Sequence, residues 1–228
     1  RFVKGGFLNA VVAASVLFTV LLALEWLFWL SPFKPAIQRL AQQMGSWFYV
    51  VPPYYIARVV VLCTVVWLWD LKLWPIFAGG LNWCYSFALG IVSILLTYFL
   101  GLRALPNRRT LWQRARAWYR ENPLSFAQYT GYLVIYPGFV EELLFRWFFT
   151  ATLWPGLKGW TVVVSPLLNT LWHLPVWVDL VRTQGAENRN RWAVLVGIAG
   201  PATTFAVLLT AIAIMTRNLV GPIMVHAF

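Results

Sequence analysis

The sequence predicts an all-α fold, a polytopic transmembrane bundle of about seven to eight helices with amphipathic helices in the membrane interface. Three observations lead there. Of the 228 residues, 61% are hydrophobic and only 11% charged, and the mean hydropathy is +0.69, far too apolar for an ordinary soluble domain. Runs of roughly 20 apolar residues, enough to cross a hydrocarbon core as helix, recur along the chain. The basic residues collect in the short connections between those runs. The net charge of +11 therefore reads as topology, and with no soluble stretch left to carry a binding surface, nucleic acid is not expected as a partner.

Each span has its own punctuation. Phe7 to Leu30 is the first, stopped by Ser31-Pro32 and Pro35, with Asn9 and Glu25 as polar exceptions toward its two ends. Residues 36 to 46 are polar enough to be interfacial. Val50 to Trp69 is the second span, opened by Pro52-Pro53, and Arg58 lies near enough to its start to snorkel to the headgroups. Asp70 and Lys72 mark a turn. A third span from Leu73 to Leu100 is longer than a bilayer requires, and Gly79-Gly80 allows a bend or break in it. In the stretch from Arg103 to Glu121, Leu111, Ala115, Trp118 and Tyr119 follow helical spacing against a basic face, which predicts a helix flat on the membrane. Gln128 to Leu153, Trp160 to Val178 and Trp192 to Met215 are the fourth to sixth spans, and Leu219 opens a seventh. Cys63 and Cys84 fall in apolar runs without metal-ligand spacing and read as packing residues, not as a disulfide.

Arginine orients the bundle. Six arginines between 103 and 120, three between 182 and 191, and Lys34 with Arg39 lie on one side; Arg1, Lys4, Lys72, Lys158 and Arg217 lie on the other. The positive-inside rule makes the first set cytoplasmic and puts the N-terminus on the opposite face. No basic segment followed by a short apolar stretch and a small-residue cleavage site opens the chain, so the first span is read as retained. The basic bias with short loops points to a bacterial inner membrane, with membrane lipids as the immediate surroundings.

Three polar islands interrupt the later spans. Glu141, Glu142 and Arg146 sit in the fourth, where each ionised group near the bilayer centre costs about 2.5 to 3.5 kcal/mol. Glu142 and Arg146 share a helix face, while Glu141 projects about 100° away. In the fifth span Asn169 and His173 share a face, and Pro175 loosens the helix just after the histidine. The third island is Gly221-Pro222 with His226. One carboxylate and two imidazoles from separate spans suffice for water activation and for stabilising developing charge. The same three groups would also suffice to hold a metal ion.

These islands carry a resemblance. The EExxxR pattern of Glu141, Glu142 and Arg146, the LxNxxWHLPxW setting of His173 and the PIMVHAF segment of His226 resemble the three motifs of the CPBP family. That family comprises intramembrane proteases, among them type II CAAX prenyl endopeptidases and bacteriocin-processing or self-immunity proteins. A lone EExxxR would be weak; three islands in order within successive spans are fairly specific. The resemblance covers roughly residues 125–228 and makes this the catalytic core, with 1–124 as N-terminal transmembrane and interfacial helices of the same compact domain.

The resemblance implies an endopeptidase acting near the membrane face on a hydrophobic or lipidated peptide. Glu141 and His173 would activate a water for direct attack on the peptide carbonyl, with no covalent intermediate. His226 would help to hold the oxyanion. The family places an asparagine one turn beyond that histidine, a position past Phe228, and Asn169 is the candidate to stand in for it. Glu142 and Arg146 would form a structural ion pair. No metal and no other cofactor is implied, and no HExxH pair occurs. Two alternatives come with this reading: a non-catalytic member of the fold serving as assembly factor or subunit of a larger membrane complex, and a zinc site on Glu141, His173 and His226.

Overall fold

The computed structural model of the chain describes residues 6–30, 34–43, 52–71, 73, 79–104, 113, 116–117, 119–184 and 191–227. Among them every element is helical. In chain order these are α1 (Gly6–Leu30), α2 (Lys34–Gln43), α3 (Pro52–Leu68), α4 (Leu81–Ala104), α5 (Pro123–Leu133), a π-helical stretch (Val134–Phe149), α6 (Thr150–Leu157), a 3-10 turn (Lys158–Trp160), α7 (Thr161–Trp172), α8 (Leu174–Gln184), α9 (Arg191–Thr216) and α10 (Val220–Ala227). By length and composition Gly6–Leu30 and Ala199–Thr216 can each cross a membrane, and Pro53–Leu68 and Leu81–Leu96 are shorter apolar helices. The outer faces are correspondingly apolar, with Leu8, Trp67, Leu81 and Met215 all exposed.

Several spans differ from expectation for local reasons. The third starts at Leu81, after Gly80 at φ +63°, a left-handed conformation that glycine adopts at little cost. The expected fifth span is two helices that part at His173. Pro175 has no N–H for the carbonyl one turn back, so α7 ends there and α8 starts anew. Most of the basic stretch expected to lie flat, and residues 74–78 of the expected third span, fall outside the described residues.

Arg58 does not snorkel. It is 2% exposed and bonds through Nη2 to Glu25 of α1 and to the Tyr54 hydroxyl. A buried guanidinium needs a carboxylate partner, and Glu25, itself 1% exposed, supplies it. Cys63 and Cys84 are free and exposed rather than packed in the core. A lone thiol is apolar enough to sit on an outer face.

The core is built on aromatics of the π-helical stretch. Phe145, Phe148 and Phe149 are fully buried; Phe145 stacks on Phe149 at 5.4 Å and tilts against Trp172 of α7 at 5.2 Å. From α1, Ala10, Ala13, Ala14 and Leu17 face inward, and the small alanines let its backbone come close while Phe18 meets Phe149 edge-on. The Phe145 carbonyl accepts hydroxyls from Thr150 at 2.9 Å and from Ser165 of α7 at 2.7 Å. These bonds satisfy backbone at the end of the π-helical stretch and tie α7 to it.

Helix α10, which carries His226, is seated by α4. The Gly221 N–H donates to Ser86 Oγ at 2.9 Å, and Asn218 Oδ1 accepts from the Val220 N–H at 2.8 Å. A Cβ on Gly221 would come within 2.3 Å of the Ser86 carbonyl oxygen, so only glycine fits. A Cβ on Gly200 of α9 would meet nothing within 4 Å. Gly221→Ala is therefore expected to destabilise the protein by about 1–3 kcal/mol through overpacking. Gly200→Ala is expected to stabilise it by about 0.5–1 kcal/mol through helix entropy. Thermal unfolding in detergent micelles separates the two signs.

Candidate active site

The π-helical stretch presents Glu141, Glu142 and Arg146 to the interior, where they are 4%, 0% and 1% exposed. Such stretches are rare and concentrate at functional sites. Two imidazoles reach this group from other elements. His173 comes from the break between α7 and α8 and His226 from α10; their side chains are 28% and 20% exposed, so the cluster is open at the rings and closed at the carboxylates.

Glu142 is the tied carboxylate. Its Oε1 lies 2.8 Å from His226 Nδ1 and its Oε2 lies 3.4 Å from Arg146 Nε. A carboxylate only accepts, so the hydrogen of the first contact sits on Nδ1. The expected ion pair with Arg146 is present, but Glu142 also orients His226, a role its sequence spacing did not suggest.

Glu141 is the free one. Its Oε2 is 3.4 Å from His173 Nε2 and 3.7 Å from His226 Nε2, both beyond the ~2.9 Å of a good N–H···O bond. That oxygen is buried without a hydrogen-bond partner. One carboxylate oxygen therefore faces two ring nitrogens delivered by two other helices. Aromatic rings hold those imidazoles: His173 lies against Trp172 at 4.7 Å and stacks on Trp177 at 5.9 Å, and Phe205 meets His226 edge-on at 6.3 Å.

Asn169 is connected less directly. Its backbone carbonyl accepts the His173 N–H at 3.2 Å, and its side-chain Nδ2 is buried without a partner. Among the described residues, no group of three or more His, Cys, Asp and Glu side chains is arranged to hold a metal ion. Outside the expected set, the cluster borders a second buried pair, Glu25 with Arg58, and Lys34 of α2 pairs with Asp179 of α8.

The arrangement suits proton transfer. An unpartnered carboxylate beside two imidazoles can take a proton from a bound water, and a ring whose Nδ1–H is held by Glu142 can offer Nε2–H to a developing oxyanion once it is doubly protonated. It also separates stability from chemistry. Glu142→Ala leaves Arg146 buried without its carboxylate and is expected to cost about 3–5 kcal/mol. Glu141→Ala removes a group that makes no hydrogen bond through Oε2 and is expected to be neutral or stabilising. Paired melting temperatures in the same detergent check the contrast.

No curated protein and no solved structure matches the chain. A family model does match, over residues 123–228, which include Glu141, Glu142, Arg146, Asn169, His173 and His226 and exclude Glu25 and Arg58. Its description is type II CAAX prenyl endopeptidase Rce1-like, and residues 123–228 match that family of CAAX proteases.

Proposed function

We propose that the protein is an intramembrane endopeptidase that hydrolyses a peptide bond near the membrane face, with Glu141 as general base. The observation that carries this reading is the unpartnered Glu141 Oε2 facing His173 Nε2 at 3.4 Å and His226 Nε2 at 3.7 Å. Among the described residues it is the carboxylate oxygen on which two imidazoles from separate elements converge.

In the proposed reaction, Glu141 takes a proton from a water that His173 orients, and the resulting hydroxide attacks the peptide carbonyl carbon. Charge develops on the carbonyl oxygen, and the His226 imidazolium, bonded through Nδ1 to Glu142, donates Nε2–H to it. The C–N bond then breaks, and Glu141 returns its proton to the leaving amine. Arg146 neutralises Glu142, so that the carboxylate is held even when His226 is neutral. Asn169, with its unpartnered Nδ2, is a further donor on the His173 side. The substrate is a hydrophobic or lipidated peptide, presented from the bilayer to the side where the two imidazoles are exposed.

The setting is proposed with the chemistry. Seven to eight spans form one membrane domain, 1–124 supporting a core at 125–228, in a bacterial inner membrane with the arginine-rich connections on the cytoplasmic side. Support comes from the membrane character of the family and from the apolar helices.

Cleavage of a panel of lipidated and unlipidated hydrophobic peptides by the purified protein is the test. Glu141→Ala and His173→Ala are each expected to lower the rate about 10²–10⁴-fold, His226→Ala about 10²–10³-fold, and a chelator to change nothing. Loss of activity on chelation would replace this mechanism with a metal site on the same three residues. Absence of cleavage, with the variants still assembling in a membrane complex, would make the chain a non-catalytic subunit.

A further inference from the structure

The N-terminal half contributes to the site through Arg58. Its guanidinium carbon lies 3.9 Å from the Tyr54 ring centre, 4.5 Å from that of Tyr55 and 4.3 Å from that of Trp172. Trp172 is 1% exposed and its ring is 4.7 Å from that of His173. A continuous line of contacts thus runs from Glu25 through Arg58 and Trp172 to His173 and on to Glu141. Its first two members lie outside the family match.

A plain ion pair would need only Glu25 and Arg58. Here the cation is also wedged between aromatic faces, one of which belongs to the residue preceding His173. Arg58 Nε and Nη1 have no hydrogen-bond partner, so the hold on Trp172 is through the flat guanidinium face. Helical hydrogen bonds from the His173 N–H to the Asn169 carbonyl and from the Trp177 N–H to the His173 carbonyl hold the backbone there, and the imidazole itself is set by the aromatic rings against it.

We propose that Arg58, anchored by Glu25, is a positioning residue that braces Trp172 and through it sets the His173 imidazole against Glu141. This rests on the reading of His173 as an active-site residue, but its test does not require turnover. A lysine cannot replace the brace, because a compact ammonium offers no planar face to the indole.

The chain has two histidines, so protein with 15N-labelled imidazoles gives two ring signals sets by NMR in detergent micelles, and His226→Gln assigns them. Arg58→Lys, which keeps the charge, is expected to shift and broaden the His173 signals while those of His226 stay in place. Glu25→Asp, which keeps the charge but shortens the side chain that holds Arg58, is expected to move the same signals in the same direction by less. In cleavage assays Arg58→Lys is expected to lower kcat by up to about 10²-fold with KM unchanged, the loss for a slightly misplaced group. His173 signals that stay put in Arg58→Lys, or in Glu25→Asp if the lysine variant does not fold, would overturn the proposal, as would equal movement of both histidines. Absence of peptide cleavage by the wild type leaves these signals readable and counts against the hydrolase reading alone.

Discussion

Everything at the centre of this molecule depends on how Glu142 is neutralised. A carboxylate that is 0% exposed in an apolar bundle survives only with compensating charge and hydrogen bonds, and Glu142 has Arg146 on one oxygen and His226 on the other. The two contacts differ in reach. Arg146 comes from the same π-helical stretch, whereas His226 comes from α10, near the far end of the chain. Glu142 therefore links elements as well as balancing charge. With Arg146 and the His226 Nδ1 both facing Glu142, Glu141 Oε2 faces the two imidazole Nε2 atoms at 3.4 and 3.7 Å.

Backbone features serve that division of labour. His173 sits at the junction of α7 and α8, held by its N–H on the Asn169 carbonyl and by its own carbonyl accepting the Trp177 N–H. Ser86 and Gly221 set α10 against α4 at a separation that excludes any side chain, and this seat determines how far His226 reaches toward Glu142 and Glu141. The Phe145 carbonyl, bonded by Thr150 and Ser165, fastens α7 to the π-helical stretch at the residue before Arg146. Each of the three elements that meet at Glu141 is thus located by a nearby backbone constraint.

Much of this was legible in the sequence. The expense of three charges in an apolar run singled out Glu141, Glu142 and Arg146, and the order of the polar islands brought His173 and His226 to them. The helical nature of the spans followed from composition. What escaped was pairing between distant spans. Glu25 lies five residues before the end of α1 and Arg58 six residues after the start of α3. With a rise of about 1.5 Å per residue, both sit about 8 to 9 Å in from the face that the two helix ends share. Equal depth and opposite charge were a readable signal; considered singly, Arg58 looked like a snorkelling residue. The π-helical geometry left no such trace, because apolar periodicity in a buried, all-round hydrophobic segment is uniform. Spacing pairs Glu142 with Arg146 and sets Glu141 apart, but it does not show which carboxylate meets His226 Nδ1, which is decided by the seat of α10.

The most direct measurement is a single turnover in water enriched in 18O, with mass spectrometry of both the new peptide carboxyl terminus and the Glu141-containing fragment of the protein. Direct attack by a Glu141-activated water places one 18O in the product carboxyl group and none in the protein. Label in Glu141 with an unlabelled product would mean that the carboxylate attacks the carbonyl itself and is regenerated by water, and that its open oxygen is a nucleophile instead of a base.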